Sequence, residues 1–128
     1  MRAALPFGIP WVVDDGSNDA TAQVAREAGA EVVQHELNQG YDKALNTGFE
    51  AAYRSGCDAF ITLDADGQHD PALLPSMLKL LDNGADVVIG IRSRRARLAE
   101  HLFAWLTILL YGIRDPLCGM KAYRASLY

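Results

Sequence analysis

Short apolar runs alternate along the chain with segments whose apolar residues recur at helical spacing. A glycine or a cluster of polar residues ends each run. Strands that alternate with helices predict a mainly parallel, Rossmann-like sheet covered by helices, the three-layer α/β/α class. The predicted strands cover residues 11–13, 31–35, 59–63 and 86–90, and the predicted helices cover residues 20–28, 41–53, 71–82 and 98–113.

Paired carboxylates end two of the predicted strands. Asp64 and Asp66 are two positions apart, so in an extended chain their side chains point the same way. Two hard oxygen donors together suit Mg²⁺ or Mn²⁺ with positions left open for a phosphate. A solvated acidic loop is the disfavoured alternative, because like charges on one face repel without a cation. Asp14 and Asp15 end the first strand, and ligands of open parallel sheets bind at the carboxyl ends of strands, so the two pairs predict one crevice.

Two sequence features near Asp14 and Asp15 have simpler structural explanations. Asn18 or Asp19 is expected to cap the helix that follows, which leaves Asp14 and Asp15 to be explained otherwise. The helix at 41–53 begins after a glycine, where free backbone N–H groups favour an anion. Lys43 lies in its first turn and can reach a phosphate, although a lysine there is more often solvated.

Composition limits the class of protein. A chain of 128 residues with 22% charged residues predicts one soluble domain, and its net charge of −4 argues against nucleic-acid binding. Cys57 and Cys118 match no zinc or redox spacing, so both are expected to be buried thiols in a reducing cytoplasm. No signal peptide is predicted at the N-terminus.

The character of the chain changes after Gly90. Arginines at 92, 94, 95 and 97 precede a mostly apolar segment at 98–113, which is shorter than the roughly 20 residues that a spanning helix needs. A buried core helix and an interfacial helix beside anionic lipid head groups remain equally open.

Several motifs, in this order and spacing, resemble those of family 2 glycosyltransferases with the GT-A fold. The similarity covers the chain from about Trp11 onward, and it points to the dolichyl- and polyprenyl-phosphate mannosyl- and glucosyltransferases. The motifs that carry the resemblance are DDGS at 14–17, N-x-G at 38–40 with ALNTGF at 44–49, DADGQHDP at 64–71, GIR at 90–92 where the family has GSR, and DPLCGMKAYR at 115–124.

The resemblance implies inverting, metal-dependent transfer of a hexose from a nucleotide-sugar of the GDP-mannose or UDP-glucose type. Mg²⁺ or Mn²⁺ would be held by Asp64, Asp66 and Gln68, where it neutralises charge on the departing nucleoside diphosphate. The nucleotide-binding residues implied by the motifs are Asp14, Asp15, Gly16, Ser17, Asn38, Gly40 and Lys43.

The preferred acceptor is a polyprenyl phosphate. A phosphate monoester with a second pKa of about 6 is largely ionised near neutral pH, so it needs no strong general base. It needs cations, and Arg92 is the first candidate, supported by Arg94, Arg95 and Lys121. A hydroxyl acceptor would instead require a carboxylate such as Asp70 or Asp115. This interpretation places the protein in the cytoplasm, at the inner face of the cell membrane, with peripheral membrane contact and self-association left open.

The chain also departs from the family pattern. Family members begin with a strand and a helix before the DDGS strand, and residues 1–10 are too few to supply both. We therefore expect residues 1–128 to form a single, incomplete GT-A domain whose sheet is interrupted where that strand would lie. Catalysis is left open, and an inactive or partner-binding module of the same fold is the alternative. A haloacid-dehalogenase-type phosphatase is disfavoured, because Gln68 and the late position of Asp64-Ala65-Asp66-Gly67 do not fit its D-x-D-G motif.

Overall fold

Strands and helices alternate as the sequence predicts. The structure is a computed structural model that describes residues 3–64, 69–91 and 98–128, with the backbone alone for 98–104. Short 3₁₀ turns lie at Leu5–Phe7, Pro71–Leu73 and Ala125–Leu127. The main elements are β1 (Trp11–Asp14), α1 (Thr21–Glu27), β2 (Glu31–Gln34), α2 (Tyr41–Arg54), β3 (Ala59–Thr62), α3 (Leu74–Asp82), β4 (Val87–Ile89), α4 (Leu98–Tyr111) and β5 (Lys121–Arg124).

The described strands form two sheets. β1 and β2 pair in parallel, with Asp14 opposite Gln34 at the carboxyl end of both strands. β5 lies between β3 and β4 and is antiparallel to each of them. The sequence did not predict β5, because only four residues form it and its neighbours on both sides decide its conformation.

Helix α2 packs on both sheets. Gly48 lies so close to β1 that a Cβ there would be 3.3 Å from Val13 Cγ2. The adjacent Phe49 ring contacts Phe60 of β3 at a centroid distance of 5.3 Å and Tyr123 of β5 at 5.4 Å. Within the described residues, β1 and β3 belong to separate sheets, which agrees with the interruption expected between them.

The largest buried cluster lies between α3 and the β3–β5–β4 sheet. The predicted apolar face of α3 is confirmed at Leu74, Met77 and Leu81, which pack against Cys118 and Met120. Burying each such side chain contributes about 1.5–3 kcal/mol. Leu73 falls within the predicted helix at 71–82 and its spacing places it on the same face, but it is 49% exposed, because it lies in the 3₁₀ turn before α3 begins.

The described side chains of α4 do not form a core. Trp105 is 62% exposed and Tyr111 is 73% exposed, and among residues 105–111 only Thr107 is buried. The core interpretation of this helix is therefore wrong for its C-terminal half. No helix among the described residues is long and apolar enough to cross a bilayer.

Candidate active site

Asp14 ends β1 and is 3% exposed. Its Oδ1 accepts a hydrogen bond of 2.9 Å from the Ser17 backbone N–H, and its Oδ2 accepts one of 3.2 Å from Gln34 Nε2. Hydrogen bonds from Ser17 are the main reason that the pKa of Asp14 lies below its usual value, and the bond from Gln34 adds to them. The Asp14 carboxylate thus holds the turn after β1 in place through these hydrogen bonds.

Asp15 joins that turn to the start of α2. Its carboxylate accepts hydrogen bonds from the backbone N–H groups of Gln39, at 2.9 Å, and Gly40, at 2.8 Å. His35 Nδ1 donates to it at 2.6 Å, and His35 Nε2 lies 3.0 Å from the Thr47 hydroxyl. The bond from His35 is the largest cause of the lowered pKa of Asp15. The anion expected at the N-terminus of α2 is therefore supplied by the chain itself.

The two loops of this region touch through their backbones. Gly16 has a φ of +79°, and a Cβ there would lie 2.7 Å from the Asn38 backbone nitrogen, so no other residue fits without displacing the loop. Asn38, at this contact, and Lys43, in the first turn of α2, are both exposed. Nucleotide binding by the predicted residues of these loops remains a prediction.

Asp64 follows β3, and its side chain is 47% exposed. Its backbone N–H donates a 3.1 Å hydrogen bond to His69 Nδ1. His69 Nδ1 also lies 3.6 Å from Asp64 Oδ2. The same Oδ2 atom rests on Gly119, where a Cβ would lie 2.1 Å from it. One side of the carboxylate is thus held by the protein and the rest is open.

Of the remaining predicted site residues, three lie in the described part of the chain and the others lie outside it. Lys121 begins β5 opposite Thr62, so it lies at the same end of the sheet as Asp64. Asp70 caps the following turn by accepting the Ala72 N–H at 2.9 Å, and Asp115 is 2% exposed. The predicted residues that lie outside the described part of the chain are Asp66, Gln68, Arg92, Arg94 and Arg95.

Sequence reasoning missed the residues that hold the carboxylates. His35 and Thr47 support Asp15, whereas His69 and Gly119 support Asp64. A polar side chain directly after a predicted strand was the signal used for the aspartates, and it did not select His35, because the predicted strand at 31–35 included this residue whereas β2 ends at Gln34. Gly119 had no such signal, because its role depends on a contact 55 positions away in the sequence.

The open side of Asp64 is compatible with a divalent ion. A carboxylate with one supported side and one exposed side can offer oxygen to a hard cation such as Mg²⁺ or Mn²⁺. Within residues 3–64, 69–91 and 98–128, no three His, Cys, Asp or Glu side chains form a complete metal site. The predicted partners of Asp64, namely Asp66 and Gln68, are not among those residues.

Comparison with known proteins identifies the family. The Glycosyl transferase family 2 profile matches residues 11–103. The chain is 38% identical over 127 residues to an undecaprenyl-phosphate 4-deoxy-4-formamido-L-arabinose transferase from Edwardsiella ictaluri, covering 91% of this chain and 39% of that protein. It is 36% identical over 123 residues to a dolichyl-phosphate hexose transferase from Haloferax volcanii, covering 88% of this chain and 52% of that protein.

The fold is also that of known glycosyltransferases. A structure of glucosyl-3-phosphoglycerate synthase from Mycobacterium tuberculosis, in complex with Mn²⁺, UDP-glucose and glycerol 3-phosphate, matches with a TM-score of 0.69 and 28% identity over 91% of this chain and 46% of that one. The GT-A-like fold expected from the sequence is confirmed. The chain spans about two fifths of the length of the first curated relative named above and about half of the length of the second. It belongs to glycosyl transferase family 2.

Proposed function

We propose that this chain binds a nucleotide-sugar and a divalent metal ion for transfer of a hexose to a polyprenyl phosphate. The observation that carries the proposal is the half-exposed Asp64 carboxylate, fixed on one side at the end of β3 and open on the other. Family membership and a structural neighbour solved with Mn²⁺ and UDP-glucose support the same chemistry.

The proposed metal would be held by Asp64 together with Asp66 and Gln68. When bound, it would neutralise the charge that develops on the departing nucleoside diphosphate. Asp64 is suited to this role because its carboxylate lies at the end of β3 and is half exposed.

The nucleotide would lie beside the loops at the ends of β1 and β2. Asp14 and Asp15 hold these loops through hydrogen bonds, so we assign them to preorganising the site for the nucleotide. Asn38 and Lys43 are exposed there, and we assign them to the donor's polar groups. A lysine near the diphosphate supplies a positive charge.

The acceptor proposal rests on charge and on an exposed apolar helix. A lipid phosphate is already ionised near neutral pH, so it needs cations such as Lys121, Arg92 and Arg94 in place of a general base. Two relatives are named for undecaprenyl-phosphate and dolichyl-phosphate substrates. We assign the exposed face of α4, including Trp105 and Leu109, to contact with the membrane that carries such a lipid.

A transfer assay tests the catalytic proposal. The chain would be incubated with labelled GDP-mannose or UDP-glucose and a polyprenyl phosphate in detergent micelles, with Mn²⁺ or with EDTA. We expect Mn²⁺-dependent label in the lipid, and its loss in Asp64→Asn. Nucleotide binding without transfer would favour the alternative of a non-catalytic module. Transfer that persists in EDTA would contradict the metal's role.

The membrane contact is tested by fluorescence. The protein has two tryptophans, at positions 11 and 105, so Trp11→Phe leaves Trp105 as the sole reporter. On adding phosphatidylglycerol vesicles, we expect its emission to shift to shorter wavelength. Leu109→Glu should abolish that shift, whereas Leu80→Glu, at an exposed position on α3, should not. An unshifted Trp105 spectrum would refute the contact.

A further inference from the structure

Three further residues lie around the segment that carries Asp64. Thr62 donates its hydroxyl to the Gly119 carbonyl oxygen at 2.7 Å and accepts the Lys121 N–H at 3.2 Å. His69 accepts the Asp64 N–H through Nδ1. We call Thr62, His69 and Gly119 the Asp64 support.

Gly119 limits where the carboxylate can lie. A Cβ on this residue would be 2.1 Å from Oδ2, 2.8 Å from Cγ and 2.9 Å from Oδ1 of Asp64. Atoms cannot approach so closely, so a methyl group at position 119 must displace either the loop or the carboxylate. Because Gly119 does not have a positive φ, alanine would meet this contact without added backbone strain.

The loop that carries Gly119 has little freedom to move away. Its neighbour Cys118 is 2% exposed, with Sγ 3.9 Å from His69 Nε2. On the other side, Gly90 donates a 2.9 Å hydrogen bond to the Met120 carbonyl oxygen, and a Cβ on Gly90 would lie 3.2 Å from the Cys118 sulfur. The displaced partner should therefore be the half-exposed Asp64 side chain.

His69 fixes the other side of the same residue. Since Nδ1 accepts the Asp64 backbone N–H, its proton is on Nε2, which points toward the buried Cys118 sulfur. The ring side chain is only 7% exposed, so packing holds its orientation. It acts on Asp64 through the backbone N–H.

We propose that Gly119 and His69 are positioning residues that orient the Asp64 carboxylate for the divalent cation, and that the absence of a side chain at position 119 is required for tight metal binding. This inference rests on the proposed metal role of Asp64. Residues that orient a metal ligand typically change metal affinity by about 10- to 100-fold when they are altered.

Calorimetric titration with Mn²⁺ in the presence of UDP tests the inference. We expect Gly119→Ala to weaken Mn²⁺ binding at least about 10-fold. Gly8→Ala is the matched control, because no atom lies within 4 Å of a Cβ there and its backbone is extended. Equal Mn²⁺ affinity in Gly119→Ala and the wild type would overturn the inference and leave the proposed function standing. A wild-type chain that binds no Mn²⁺ would overturn the metal-binding part of the proposed function instead.

Thermal melting tests the contact itself, independently of metal. Asp64→Ala removes the carboxylate that the new methyl group meets, so Gly119→Ala should lower the melting temperature in the wild type and have little effect in Asp64→Ala. Equal losses in both backgrounds would overturn the contact on which the inference depends.

Two variants at position 69 separate positioning from packing. His69→Asn retains an acceptor near the Nδ1 position, whereas His69→Phe retains the ring and removes the acceptor. We expect Mn²⁺ affinity to be preserved better in the asparagine variant, although phenylalanine fills the space more fully. The opposite order would show that His69 acts through packing alone and would overturn its assigned role.

Discussion

Thr62 links the stability of the fold to the geometry of the site. Its hydroxyl makes two hydrogen bonds between β3 and the segment that carries Gly119 and Lys121. Thr62→Val keeps the shape of the side chain but leaves the Gly119 carbonyl without this donor and the Lys121 N–H without this acceptor. Leaving a partly buried polar group unsatisfied costs about 1–3 kcal/mol, so we expect the free energy of unfolding to fall by about 2 kcal/mol. In a chain of this size, that loss lowers Tm by about 8 °C.

Urea unfolding followed by circular dichroism measures this loss. Thr62→Ser is the matched control, because it keeps the hydroxyl and removes only a methyl group, which costs about 1 kcal/mol or less. The reasoning requires the valine variant to be clearly less stable than the serine variant. Equal stability of valine and wild type, or a serine variant as unstable as valine, would refute it.

Other predictions concern the core and the charged loops. Leu81→Ala should lower the free energy of unfolding by about 3 kcal/mol, whereas Leu80→Ala, at a half-exposed position, should cost less than about 1 kcal/mol in the same urea experiment. The carboxyl groups of Asp14 and Asp15 have pKa values below the ordinary 3.8. The stability that they contribute is therefore fully present above that pH and is lost as pH falls through their folded-state pKa values. Acid titration of Asp15→Asn should show a smaller loss, and an unchanged acid transition would contradict the hydrogen-bonded role of this carboxylate.

The alternation of strands and helices could be predicted because burial repeats along the sequence. The apolar spacing on α3 follows the helical period, and the buried residues Leu74, Met77 and Leu81 confirm it. Asn18 or Asp19 was expected to cap α1; the N-cap position is Ala20, but the Asp19 carboxylate accepts the Thr21 N–H at 2.9 Å. β5 was not predicted, because a short strand between two others takes its conformation from neighbours that are distant in sequence.

The chemistry of the site was easier to predict than its supports. Asp14 and Asp64 directly follow predicted strands, and that position alone identified them as candidate site residues. The partners of Asp15, by contrast, are His35, directly after β2, and Gln39 and Gly40 in the loop before α2, and Thr47 of α2 contacts His35 in turn. The contact of Gly119 with Asp64 likewise joins two distant segments. The pattern of apolar and polar residues along the chain does not show such contacts, because they form only after the helices and strands have packed together.

The central claim is that Asp64 binds a divalent metal for a nucleoside diphosphate. Isothermal titration of the wild-type chain with UDP and with GDP, each with and without Mn²⁺, tests it most directly. The account predicts binding of one nucleotide that depends on Mn²⁺ and is lost in Asp64→Asn, while Asp58→Asn, which alters an acidic residue outside the proposed site, binds as the wild type does. Nucleotide binding that is unchanged by Mn²⁺, or that survives in Asp64→Asn, would contradict it.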